Sequence, residues 1–371
     1  MDMRKALVVL FLLPIALFGQ VLDNTSQQYA MRYVKDHWYL KNGDDLNVID
    51  TDIEWPEALN YERSKSLQAY MAKFLFGEDT ANFDSSYHAL KVKHGQPVTE
   101  QFKELPDDRR YCYITASARV KNHCPGKWIA YVVSYEAKPE KLSRIKPRKE
   151  TRYFVYDIGR QQVMTPDMVI KQKRIQDGYV EQVFFDTVFA PLDEQDYGDI
   201  RSASIEGAWF EEEGKTLGLH ISCKTDQTTL GYDVFMPYEN VRYLITKNAR
   251  RLVEKPALKP NPEYIAPPET WRGEPVYKTV DTMPVFRRGN EGLKSYLANV
   301  APPAESEGGK VMVSFVVDQG GGVADIRVVG SLNPVLDRHA ASLVRGMPKF
   351  TPGKLNGQPV CVRIYTPIQY R

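Results

Sequence analysis

The stretch from Lys310 to Arg371 constrains this chain most, because its hydrophobic period changes twice within a short span. Val311, Val313, Phe315 and Val317 alternate with Met312, Ser314 and Val316. A period of two, rich in β-branched residues, predicts a strand. Gly320-Gly321-Gly322 can supply the positive φ of a tight turn. Val323 to Gly330 reads as the return arm, with Ile326 and Val328 opposing Asp325 and Arg327. The period then lengthens. Asn333 is a helix cap, Pro334 suits the first helical position, and Leu336, Ala340, Leu343, Val344 and Met347 share one helical face. Gly346 and Pro348 stop the helix. Turns at Phe350 to Gly353 and at Asn356-Gly357 lead into a long final strand, Val360 to Tyr370. The order strand, strand, helix, strand predicts a small α+β sandwich with one sheet face covered by the helix.

The final strand carries the one feature with a mechanism. Val360, Val362, Ile364 and Thr366 fall on one face; Cys361, Arg363, Tyr365 and Pro367 fall on the other. At a sheet edge, the unpaired N–H and C=O groups of such a strand accept a partner strand. The candidate partner-binding residues are therefore Val360, Val362, Arg363, Ile364, Tyr365 and Thr366. The alternative is that the strand only completes the core.

The spaced elements Phe315-Val-Val-Asp, Gly322-Val-Ala-Asp-Ile-Arg-Val-Val, Leu336-Asp, Met347-Pro-Lys-Phe-Thr-Pro-Gly353 and Asn356-Gly-Gln-Pro-Val360 resemble the C-terminal domain of TonB energy transducers. Val276-Tyr, Met283-Pro-Val-Phe286 and Gly292-Leu-Lys-Ser-Tyr-Leu297 are similar to the lead-in helix of that family. The resemblance spans residues 275–371. Ala301 to Gly309 departs from it, lacking the Tyr-Pro element that usually precedes the first strand. The resemblance implies that the final strand pairs with the Ton box of an outer-membrane transporter. Were the chain anchored, it would also imply contact with inner-membrane proton-channel proteins.

Upstream, Arg4 and Lys5 precede an apolar run from Ala6 to Phe18, then Gly19-Gln20. A basic start, a short apolar core and a small residue predict a secretory signal over residues 1–19 and a periplasmic protein. The core is short beside the ~20 residues a bilayer span needs. The alternative is an uncleaved inner-membrane anchor facing the periplasm.

Residues 24–250 read as an exported α+β region, with two subdomains as one reading. Leu46 to Trp55 predicts a strand ended by Pro56; Leu67, Tyr70, Met71, Phe74 and Leu75 predict a helix stopped by Gly77. Arg110–Val120, Trp128–Glu136, Arg152–Asp157, Leu217–Cys223 and Asp233–Pro237 read as strands, and Tyr179–Phe189 and Val241–Leu252 as helices. Tyr153-Phe-Val-Tyr-Asp-Ile-Gly159, Met164-Thr-Pro-Asp167 and Leu230-Gly-Tyr-Asp are weakly similar to the extracellular domain of RsiV-type anti-sigma factors. Glu254 to Pro275 holds six prolines and reads as a stiff linker. At ~3.1 Å per residue it would reach about 70 Å.

No zinc spacing, nucleophile elbow or phosphate loop appears, so neither a cofactor nor an enzymatic activity is expected. Glu211-Glu-Glu213 reads as a solvated turn. Of the four cysteines, Cys112 and Cys124 flank an anticipated hairpin and are the candidate disulfide; the alternative is four buried free thiols. A net charge of +2 gives no electrostatic case for nucleic acid. Two functions remain open. One is a periplasmic TonB-like protein that binds transporters by strand addition. The other is an envelope sensor or structural module whose residues 24–250 bind a cell-wall fragment or a lysozyme-like protein.

Overall fold

The computed structural model describes residues 28–98, 110–140, 143–171, 203–213, 216–225, 231–259, 268–298, 303 and 308–370. The predicted signal (1–19), the helix at 179–189 and the middle of the Pro-rich stretch lie outside them. Among the described residues no helix is long and apolar enough to cross a membrane.

In chain order the elements are β1 (Tyr29–Asn42), β2 (Asp45–Leu59), α1 (Lys65–Leu75), α2 (Phe83–His94), β3 (Gln96–Pro97), β4 (Arg110–Cys124), β5 (Trp128–Pro139), β6 (Arg148–Asp157), β7 (Gln162–Met164) and α3 (Pro166–Val169). Then come β8 (Ala203–Glu213), β9 (Thr216–Thr225), β10 (Gly231–Pro237), α4 (Tyr238–Val241), α5 (Lys247–Glu254), β11 (Thr270–Trp271), β12 (Glu274–Tyr277) and α6 (Gly289–Ala298). The last are β13 (Gly309–Val317), β14 (Val323–Gly330), α7 (Pro334–Arg345), β15 (Lys354–Leu355), β16 (Gln358–Pro359) and β17 (Cys361–Tyr370). The protein is α+β, as anticipated. It divides into two compact units. Of the described residues, the larger holds those within 33–56 and 63–259; the smaller holds those within 28–32, 57–62 and 268–370.

In the larger unit the strand order is β1-β2-β4-β5-β6-β7, with β3 beside β1. β2 and β4 run parallel, from Asp45 opposite Arg110 to Ile53 opposite Ala118. Pro56 does not end β2, which continues to Leu59. The proline lies beyond the last residue paired with β4, so its missing N–H costs no bond in that ladder. Its carbonyl accepts from the Gln68 side chain at 2.6 Å. α1 buries Leu67, Met71, Phe74 and Leu75, and Gly77 stops it at φ +81°, donating to the Ala72 carbonyl. α2, which the sequence reading missed, is weakly amphipathic; Asn82 caps it, accepting from Ser85 N at 2.9 Å. Its Phe83 stacks on Tyr87 and meets Trp55 and Phe76, so aromatic packing rather than helical periodicity holds it.

The expected Cys112–Cys124 disulfide is corrected by the structure. Both residues lie on β4, Cys124 at the tip of the β4–β5 hairpin and Cys112 near the strand's other end. Twelve residues at ~3.3 Å each separate them by roughly 40 Å, whereas bridged Cα atoms lie within about 7 Å.

A second sheet, β10-β9-β8, carries Trp209, Phe210, Leu219 and Ile221 into a core shared with Val155, Met164, Val169 and Ile245. Glu211 is not in a solvated turn. It sits on β8, pairs with His220 Nδ1 at 2.9 Å and accepts from Trp209 Nε1. The predicted helix Val241–Leu252 is broken into α4 and α5. Thr246 caps the second piece, accepting from Ala249 N, and its own N–H donates to the Val169 carbonyl.

His94, at the end of α2, is buried, and its pKa is pushed down to about 4 by desolvation and by Lys93. The folded form therefore refuses a proton that the unfolded chain accepts near pH 6.5. Stability is complete above that pH and falls as pH drops towards 4. His94→Gln is expected to flatten this decline in urea unfolding between pH 6.5 and 4; an unchanged slope would contradict the assignment.

The smaller unit has the predicted strand–strand–helix–strand core, in the order β12-β17-β13-β14, with the first residues of β1 beside β14. β13 pairs with β17 over its whole length, Gly309 opposite Tyr370 through Val317 opposite Val362. Opposed residues share a face. Val311, Val313, Phe315 and Val317 thus lie with Ile368, Thr366, Ile364 and Val362. α7 packs on β13 and β14, burying Leu336, Ala340, Ala341 and Val344. Asn333 Oδ1 accepts from Leu336 N at 2.9 Å, the predicted cap. Asn356 and Gly357, at φ +51° and +77°, form the turn between β15 and β16.

Gly321 sits at φ +79°, and a Cβ there would lie 2.0 Å from the Phe350 carbonyl oxygen. Phe350 N donates to Gly321 O at 2.8 Å, so the two backbones are locked together. Gly321→Ala is expected to cost more than about 2 kcal/mol; a loss under ~0.5 kcal/mol in urea unfolding would show that this contact yields.

Candidate functional site

The site is built around β17 and the sheet face opposite α7. Ser314, Val316 and Met312 on β13 oppose Tyr365, Arg363 and Pro367, so these residues line that opposite face. β14 is not a regular strand. Between Ser314 and Val316 the register advances three residues on β14, from Arg327 to Ala324, and it slips again opposite Met312 and Val313. Each slip is a β-bulge. The first contains Asp325, at φ +44°. The second contains Val329, which packs against Ala30 and Ala58 with Met312 and Tyr365.

The Asp325 bulge organises a buried ion network. Asp325 Oδ2 accepts from Arg327 Nη2 at 2.6 Å and from Arg363 Nη2; Oδ1 lies 3.0 Å from Arg32 Nε. Arg32 also meets Glu57 at 2.5 Å, and Arg327 and Arg363 both meet Glu269, Arg327 at 2.9 Å. Arg363 Nη1 donates to the Asp325 carbonyl at 2.8 Å. Three guanidiniums face three carboxylates, and the Asp325 side chain is fully buried. Burial alone would raise the Asp325 pKa. Arg327, Arg32 and Arg363 together outweigh it and hold the carboxyl well below the usual carboxylate range. Glu269 is lowered in the same way: burial opposes, and Arg327 and Arg363 prevail. The face of the Trp271 ring lies 6.0 Å from the Arg32 guanidinium.

β17 is partly covered along its outer side. β12 runs parallel to it, with Val276 opposite Cys361 and Tyr277 opposite Val362. Beyond Val362, no strand among the described residues pairs with that side. The six predicted contact residues therefore separate. Val360 precedes the strand and donates its N–H to Gly353 O at 3.0 Å. Val362 is buried between Val317 and Tyr277. Arg363 is buried in the ion network, so its side chain is structural and only its backbone can face a partner. Thr366 is buried opposite Val313, while Ile364 and Tyr365 are half-exposed. Among the described residues, the outer side of this strand has no strand partner from Arg363 onward.

Both ends of the Pro-rich stretch carry defined contacts. Leu258 N donates to Gly126 O at 3.0 Å within the larger unit. In the smaller unit, Glu269 joins the ion network and Thr270–Trp271 pairs with Glu274–Pro275 in a hairpin turning through Arg272 and Gly273 at positive φ. A glutamate directly after a proline pair, followed by Thr-Trp-Arg-Gly, was the available signal. Among the described residues no group of three or more His, Cys, Asp or Glu could hold a metal ion.

No curated protein matches the chain. Among solved structures, a DUF3298 family protein from Pseudomonas aeruginosa PAO1 aligns with a TM-score of 0.37 and 10% identity, covering 59% of this chain and 95% of that one. Residues 304–371 match the family described as Gram-negative bacterial TonB protein C-terminal. The unit that presents β17 is, over those residues, similar to the C-terminal domain of TonB proteins.

Proposed function

We propose that this chain is an exported envelope protein that docks on TonB-dependent outer-membrane transporters through β17, and that it acts by binding rather than by catalysis. The observation that carries this reading is the family match over residues 304–371, on a unit whose last strand pairs with no described strand beyond Val362 on its outer side. An extended segment such as a Ton box would add there as a further strand. Main-chain hydrogen bonds would give the affinity, and Ile364 and Tyr365 would sense its side chains. Charge plays a smaller part, because Arg363 is already neutralised by Asp325 and Glu269.

The test is titration of a fluorescent Ton-box peptide with the full chain. Full length matters, because a piece starting at residue 270 lacks Arg32, Glu57 and Glu269 and leaves the Asp325 network incomplete. Saturable binding below about 1 mM is expected. No binding at millimolar peptide would remove the proposal. Uptake of a TonB-dependent ligand, measured in cells lacking their own transducer, then separates docking alone from energy transduction; docking alone is expected.

A further inference from the structure

The larger unit contains a cavity of about 550 Å³ that the docking function does not use. Its floor holds Asn47 and His94, which are 2% and 6% exposed. The Asn47 side-chain nitrogen donates to the His94 carbonyl at 2.7 Å. Three buried atoms of this lining have no hydrogen-bond partner among the described residues: Asn47 Oδ1, Asp45 Oδ1 and His94 Nε2. Unsatisfied buried polar atoms are costly, and each calls for an explanation. The rim is mostly cationic: Lys93, Arg110, Arg144 and Lys146 stand around the opening with one exposed carboxylate, Asp44, and with Arg148, which is paired with Glu150. None of the four makes an ion pair with a described residue.

The lining thus combines positive charge at the mouth with hydrogen-bond acceptors at the floor. An inorganic anion would satisfy the rim and leave Asn47 Oδ1 and Asp45 Oδ1 unpaired. An ammonium-bearing ligand would satisfy those acceptors and be repelled by the rim. A molecule with a carboxylate beside neutral hydroxyl groups answers both halves. We propose that this cavity binds an acidic saccharide, its carboxylate held by Lys93, Arg110 and Arg144 and its hydroxyls donating to Asn47 and Asp45. The volume lies in the range of small-molecule sites, ~300–1,000 Å³, and accommodates one or two sugar rings.

Calorimetric titration of the full chain with digalacturonate, cellobiose, acetate and inorganic phosphate tests this. Digalacturonate is expected to bind with a Kd below about 1 mM. Cellobiose, which lacks the charge, and acetate and phosphate, which lack the ring hydroxyls, are each expected to be at least about tenfold weaker. Lys93 and Arg144 are exposed, so Lys93→Gln and Arg144→Gln leave the fold intact, as circular dichroism would verify. Each is expected to weaken digalacturonate about tenfold and to reduce the salt dependence of binding. Three results would overturn the proposal: no saturation by digalacturonate at about 10 mM, equal affinity for cellobiose or phosphate, or unchanged affinity in both variants.

Discussion

Replacing Asp325 with alanine is expected to destabilise the chain by about 3–5 kcal/mol, the range for removing one partner from a buried ion pair. The variant would leave Arg32, Arg327 and Arg363 facing only Glu57 and Glu269. A buried cation without its counter-charge cannot recover its hydration. Alanine would also have to hold φ +44°, which costs a further ~1 kcal/mol. Asp325→Asn separates the two contributions, because asparagine tolerates that backbone and keeps an acceptor while losing the charge. The pH dependence follows from the same geometry. Asp325 and Glu269 have folded pKa values below their ordinary 3.8 and 4.5. Their contribution is present above those values and is lost as pH falls below about 4. Urea unfolding at pH 7 and pH 3.5 checks both points. The wild type should lose stability on acidification, and Asp325→Asn should lose less. A cost under ~1 kcal/mol at pH 7 for Asp325→Ala would show that the network is not a net stabiliser.

The second large effect concerns β17. Successive N–H groups of a strand point to opposite edges, so of Ile364 and Tyr365 one donates towards β13 and the other faces outward. Proline removes a donor. At the inward position it should break the β13 ladder and cost about 3 kcal/mol or more. At the outward position the fold should survive while Ton-box peptide affinity falls at least about tenfold. Making Ile364→Pro and Tyr365→Pro side by side gives each variant the other as control. If the folded variant of the two binds the peptide as well as wild type, docking does not use this strand.

Much of the smaller unit was legible in the sequence because its signals are local. The alternation of Val311 to Val317, the Asn333-Pro334 cap and the Asn356-Gly357 turn each depend on a few adjacent residues. The bulges were not legible. Asp325 sits in a string whose alternation looks regular, and only pairing with Ser314 and Val316 reveals the extra residue. Arg363 read as a surface contact because its counter-charges, Asp325 and Glu269, are 38 and 94 positions away. β12 straddles the end of the proline-rich run and the start of the stretch likened to a lead-in helix; Val276 and Tyr277 instead find a parallel strand partner. The cysteine assignment failed because β4 runs to Cys124, further than its alternating core suggested.

The pairing of β1 with β14 has a kinetic consequence. Met31 opposes Val328, about three hundred positions later, whereas Val317 and Val323 close β13 and β14 across six. Loop-closure entropy grows as the logarithm of length, so bringing β1 to β14 costs roughly 3 kcal/mol more than closing that hairpin. Contacts of such separation form late. The C-terminal hairpin and α7 would assemble first, with Arg327 and Arg363 already around Asp325. Arg32 and Glu57, synthesised earliest, would be the last to arrive.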